Sequence, residues 1–135
     1  LNATDEQIAR LRGLLEQHQN DPAITAGIGY FQGAGDTDFH LQIAEASRNS
    51  RISAFVSGPL YSILRLYRHR MSAIPGRPFA ALAEHRAILG AIETRNPDEA
   101  ERAMREHIQN SRQNVLEHMP EDAIATLPTA TRSRG

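Results

Sequence analysis

Hydrophobic residues recur along this chain at spacings of three and four, the period of a helix with one buried face. The first stripe is Ile8, Leu11, Leu14, Leu15 and His18, preceded by Thr4-Asp5-Glu6-Gln7, where threonine and glutamine suit a capping box. Asn20-Asp21-Pro22 closes it, and His18, in the last turn, is expected at the surface, where a positive side chain favours the helix dipole. Residues 22–35 offer Ala23, Ile24, Ala26, Ile28, Tyr30 and Phe31 for packing, but Gly27, Gly29, Gly33 and Gly35 weaken any helix, so a loose helix or loop is expected. A helix should then run from about Ala34 to Ser47, ended by the polar Ser47-Arg48-Asn49-Ser50.

A longer pattern follows: Ile52, Phe55, Val56, Leu60, Ile63, Leu64, Tyr67 and Met71. Gly58-Pro59 falls inside it, and proline's missing N–H and ring clash predict a kink. Ile74-Pro75-Gly76-Arg77-Pro78 is a clear break. The next stripe is Ala81, Leu82, His85, Ile88, Leu89 and Ile92. The last begins at Asn96-Pro97-Asp98-Glu99, a capping residue followed by proline and acids, and continues through Ala100, Ala103, Met104, His107, Ile108 and Val115. No stretch alternates with period two between turn signals. The expected fold is all-α, an antiparallel helical bundle of about five or six helices. Residues 1–119 form the expected domain. Residues 120–135, rich in Pro, Thr, Ser and Arg, form a peripheral tail with at most a helical turn at Glu121–Leu127.

Composition removes several classes of function. There is no cysteine, which excludes disulfide frameworks, cysteine-bound zinc and thiol catalysis, and suits a cytoplasmic protein. Fifteen basic against 16 acidic residues give a net charge of -1, so this segment is not expected to grip nucleic acid itself. No apolar run approaches the roughly 20 residues that span a bilayer. The first residue is Leu1 rather than methionine, so a fragment or processed chain is expected.

The candidate chemistry lies in Asp36-Thr37-Asp38-Phe39-His40. On a helix, Asp36 and His40 lie one turn apart on the face continued by Phe39, Ile43 and Ala44. A carboxylate and an imidazole on a buried face are costly unless something satisfies them, and a divalent metal would satisfy both. His85 and His107 lie mid-stripe on later helices. Asp36, His40, His85 and His107 are therefore expected to meet around one ion of zinc, nickel, manganese or iron, which accept imidazole and carboxylate. The ion's open side would take a small anionic ligand. Of the arginines accompanying the long helix, Arg65 is the candidate partner for a ligand carboxylate, through a bidentate fork. His69 and His118 have charged neighbours and read as surface residues. The competing account makes the inward histidines core residues bonded to carbonyls, Asp36 a complement to a helix dipole and Arg65 a solvated surface residue. A second competing account is a metal-dependent hydrolase, in which an open metal site acidifies water. The chain has no Glu-x-x-His, no His-Glu-x-x-His and no nucleophile elbow. Glu84, beside His85, is expected to project away from that histidine's face.

Asp36-Thr37-Asp38-Phe39-His40-Leu41 followed by Ile43-Ala44-Glu45-Ala46-Ser47-Arg48-Asn49 resembles the D-x-x-F-H-x-x-(I/L)-A-x-A-S-x-N signature of the FCD domain. That domain is the C-terminal, effector-binding part of FadR-type regulators in the GntR family. Glu84-His85-Arg86-Ala87-Ile88-Leu89 with Ala91-Ile92 resembles its second histidine helix. Asp98, Ala100, Ala103, Met104, His107 and Ile108 resemble its third. The resemblance spans residues 4–119. It implies an all-helical domain with no enzymatic activity, metal ligands at Asp36, His40, His85 and His107, and a small carboxylate or sugar acid as effector. It also implies a homodimer and a DNA-binding winged helix N-terminal to this domain, for which nothing before Thr4 leaves room. The family's first effector-domain helix, often the source of a pocket arginine, is expected to be missing or cut short at Leu1.

Overall fold

The structure is a computed structural model that describes residues 2–30 and 38–118, with only the backbone described at Pro59 and Leu60. Seven helices and no strand occur among the described residues: α1 (Asp5–Gln19), α2 (Pro22–Thr25), α3 (Phe39–Ala46), α4 (Ser50–Ser57), α5 (Pro59–Ser72), α6 (Arg77–Glu93) and α7 (Pro97–His118). The all-α expectation holds. The count exceeds five or six because Gly58-Pro59 breaks the long helix instead of kinking it. Gly58 caps both pieces, and a Cβ there would lie 2.7 Å from the Ala54 carbonyl oxygen, closer than any side chain tolerates.

Local chemistry explains most helix ends. Thr4 and Gln7 form the capping box at α1, each side chain bonding the other's backbone N–H. Asn96 caps α7 by accepting from the Glu99 N–H. Gly76 precedes α6 in the left-handed region, at φ 81°, which glycine enters without a Cβ clash. Arg95, in the α6–α7 turn, bonds the Ala3 carbonyl and the Asp5 carboxylate, tying that turn to the start of α1. α3 begins at Phe39 rather than Ala34, because Asp38 caps it and accepts from the N–H groups of His40 and Leu41.

The core is built by α1, α3 and α6, with α7 closing it. Ile8, Leu11, Leu14 and Leu15 of α1 pack with Leu82, Ile88, Leu89 and Ile92 of α6 and with Phe39, which is wholly buried. Burying each such side chain is worth roughly 1.5–3 kcal/mol before ordering entropy is subtracted. Much of the apolar stripe on α4 and α5 is left uncovered, although Met71 at its end is buried. Ile52, Phe55, Ile63 and Leu64 are exposed, as is Ile108 on α7. Among the described residues no helix is long and apolar enough to cross a membrane. The tail from residue 119 onward, with its expected turn at Glu121–Leu127, lies outside the described residues.

Candidate metal centre

α3, α6 and α7 each deliver one histidine to a common point. His40 follows the Asp38 cap, His85 sits mid-stripe on α6, and His107 occupies the inward face of α7. One ring nitrogen from each lies within 4.8 Å of the others. The His40 and His107 Nε2 atoms are 3.1 Å apart. Two imidazole nitrogens bound to one tetrahedral zinc at about 2.0–2.1 Å would stand about 3.4 Å apart, so the spacing suits a shared ion. Asp36, the expected fourth ligand, lies outside the described residues.

Each histidine is oriented through its other nitrogen. His107 Nδ1 lies 2.6 Å from Glu84 Oε2, and a carboxylate only accepts, so the proton is on Nδ1 and Nε2 is bare. Glu84 is itself held by Arg77 through both oxygens, at 2.9 and 3.0 Å, and by Asn110 at 2.9 Å. Burial pushes the Glu84 carboxyl up, but hydrogen bonds from His107, Arg77 and Asn110 outweigh it and hold it at about 2. His85 Nδ1 meets the Tyr30 hydroxyl at 2.9 Å, and that hydroxyl also meets His18 Nδ1 at 2.8 Å. His85 Nε2 is left buried with no hydrogen-bond partner among the described residues. An orphaned buried nitrogen costs roughly 1–3 kcal/mol unless a ligand takes it. That atom, on a ring only 1% exposed, is the clearest sign that the donor set fits a metal.

Burial lowers the His85 pKa well below the usual histidine value, and the neighbouring histidines and Arg77 add to this. His40 is likewise lowered, first by burial, against the opposing pull of Asp38. Both rings are thus kept neutral, the state in which imidazole offers a lone pair.

Asp38 is 1% exposed and accepts from Arg68 Nη2 at 2.8 Å, Arg68 Nη1 at 3.1 Å and Tyr61 at 3.2 Å, besides the two backbone groups. Burial raises its carboxyl pKa, but the neighbouring His40 and Arg68 win and hold it far below the ordinary value. Arg65 does not join the cluster. It is exposed, and its guanidinium lies over the Tyr61 ring, 5.7 Å from the centroid. Arg68, one turn on, is the arginine that enters, reaching His40 Nδ1 at 2.8 Å. A surface groove of about 340 Å³ between α6 and α7 includes Arg77 and Glu84, but none of the three histidines lines it.

Residues 1–110 match the FCD domain. This chain belongs to the FCD domain family. It is 29% identical over 132 residues to the Uxu operon transcriptional regulator of Escherichia coli (strain K12), which covers 92% of this chain and 49% of that protein. It is 31% identical over 118 residues to the HTH-type transcriptional repressor NanR of Klebsiella aerogenes (81% and 41%), and 32% identical over 116 residues to NanR of Cronobacter sakazakii (78% and 40%). The chain thus spans about half or less of the length of these relatives.

Four residues of this FCD domain escaped the sequence reading. Glu84 does point away from His85, as expected, but toward His107 on the next helix; its spacing of seven from Arg77 on one helix face was the available signal. His18 is buried rather than at the surface, and its place in the Leu11, Leu14, Leu15 stripe already indicated this. Tyr30 reads in the sequence as apolar packing, although a buried tyrosine needs a partner for its hydroxyl. Arg68 stood among several arginines with nothing in the sequence to single it out.

Proposed function

We propose that this FCD domain is the effector-sensing part of a GntR-type transcription regulator, without enzymatic activity of its own. His40, His85 and His107, with Asp36 as fourth ligand, would hold a divalent ion of zinc, nickel, manganese or iron. A small carboxylate or sugar acid would bind against the ion's open side, with Arg65 as the partner of its carboxylate. DNA would be bound by an N-terminal winged-helix domain outside this chain, and the whole would work as a cytoplasmic homodimer. The exposed apolar residues Ile52, Phe55, Ile63 and Leu64 on α4 and α5 support a dimer, because a second copy would remove them from water.

The observation that carries the reading is the convergence of three oriented imidazoles on one point, with the His85 Nε2 left unsatisfied. A bound ion supplies Lewis acidity for an anionic ligand, and the chain's residues do the rest. Glu84 fixes the His107 tautomer, Tyr30 and His18 fix His85, and Phe39 stacks on the His85 ring at 4.5 Å between centroids. The effector can shift the regulator between states only by binding one better than the other. Against the hydrolase alternative, the two carboxylates in contact with the histidines among the described residues, Asp38 and Glu84, both have their oxygens engaged. Neither is free to act as a general base.

Thermal denaturation with and without a small carboxylate tests the reading. The carboxylate is expected to raise the melting temperature of zinc-loaded protein, as any ligand of the native state does, and to leave chelator-stripped protein unchanged. An equal rise in both would remove the metal from effector binding.

A further inference from the structure

The hydrogen bonds around His40 run in the opposite sense from those around its two partners. A guanidinium has five N–H donors and no acceptor. Arg68 Nη1 lies 2.8 Å from His40 Nδ1, so that nitrogen must be bare, and the neutral ring carries its proton on Nε2. The Nε2–H is then directed at His107 Nε2, 3.1 Å away, whose own proton is on Nδ1 facing Glu84. Donation runs one way through four residues, from Arg68 to His40 to His107 to Glu84.

That chain satisfies every member, but it denies His40 the lone pair a metal ligand needs. To free Nε2, the ring proton must move to Nδ1, where an acceptor must take the place of Arg68. One is present: Asp38 Oδ1 lies 3.6 Å from His40 Nδ1, beyond hydrogen-bond length but facing the same edge of the ring. The ring keeps one proton in either arrangement, so nothing is gained or lost in the exchange.

We propose that Arg68 is a positioning residue that holds His40 in its non-ligating tautomer. Occupancy of the three-histidine site requires Arg68 to withdraw from Nδ1 and Asp38 to accept the Nδ1–H. This inference rests on the metal-binding reading above. Arg68 belongs to α5, whose buried residues, among those with described side chains, are Met71 and Ser72 at its C-terminal end. Withdrawal of Arg68 would therefore act on a helix held mainly at one end, linking the state of the site to the position of α5 relative to α3.

Long-range ¹⁵N–¹H spectra of histidine-labelled protein, first stripped of metal and then given zinc alone, read the tautomer directly. The expected result is Nε2–H on His40 without metal and Nδ1–H with zinc. Arg68→Gln, whose side-chain carbonyl can accept from Nδ1–H, should show Nδ1–H before zinc is added and bind zinc about tenfold more tightly in chelator competition. Arg68→Lys, still donor-only, should keep the wild-type tautomer. Tighter zinc binding by Arg68→Gln with Nε2–H retained would trace to lost charge alone and overturn the proposal. So would Nδ1–H in metal-free wild-type protein, or zinc binding with no change of tautomer, both of which leave the metal reading standing. Failure of wild-type protein to bind zinc at all overturns both.

Discussion

Glu84 Oε2 accepts from His107 Nδ1 across 2.6 Å, and this bond joins α6 to α7 beside the histidine cluster. A carboxylate behind an imidazole fixes its tautomer and raises its basicity, and loss of such a partner typically lowers metal affinity 10–100-fold. Glu84→Gln is accordingly expected to weaken zinc binding by roughly tenfold or more while leaving the helical circular dichroism intact. Competition with a chromophoric chelator measures this, and an unchanged affinity would show that Glu84 has no part in the site.

The same carboxylate gives a pH dependence with a definite sign. Glu84 titrates at about 2 in the folded protein, against an ordinary value of 4.5. A depressed acid contributes stability above its unfolded value, and that contribution is lost as pH falls through the folded one. Metal-free protein should therefore lose stability progressively from about pH 4.5 toward pH 2, and Glu84→Gln should flatten part of that decline. Urea denaturation across this range is the check; identical pH profiles for the two proteins would count against the Glu84 bonds as a source of acid sensitivity.

Tyr30 bridges two histidines, His18 and His85, from a loop after α2. Tyr30→Phe keeps the ring and removes the hydroxyl, and with it the bond each imidazole makes to it. A loss of about 1–3 kcal/mol in unfolding free energy is expected, together with weaker zinc binding as His85 loses its orientation. Equilibrium denaturation with chelator competition measures both. A variant as stable as the parent would mean that water replaces the hydroxyl without loss.

Phe55, 68% exposed on α4, is the most exposed of the large apolar side chains described on α4 and α5. If that surface seats a second copy, Phe55→Asp should convert dimer to monomer in sedimentation velocity without disturbing zinc binding. Dimers of undiminished stability would place the interface elsewhere.

Much of this architecture was legible from periodicity. The stripes of α1, α6 and α7 and the caps at Thr4 and Asn96 follow from spacing and local hydrogen-bond chemistry. His85 and His107 were recognisable because each interrupts an apolar stripe at an inward position. What escaped was set by tertiary contact. Glu84 and Arg68 acquire their roles only when α7 and α3 are brought against them, and no spacing within one helix reports a partner on another. The apolar period points to a helix from about Ala34, but it does not show that Asp38 leaves the helix to cap it, so that α3 starts at Phe39. The apolar period of α4 and α5 was read correctly but its covering was not, since periodicity marks a face that seeks burial without saying what covers it.

Titration of the metal-free protein with zinc, followed by calorimetry, tests the central claim most directly. The account predicts saturable binding of about one ion per chain, abolished in both His85→Ala and His107→Ala with the helical fold retained. Absence of saturable binding, or binding by either variant as tight as that of the parent, would contradict it.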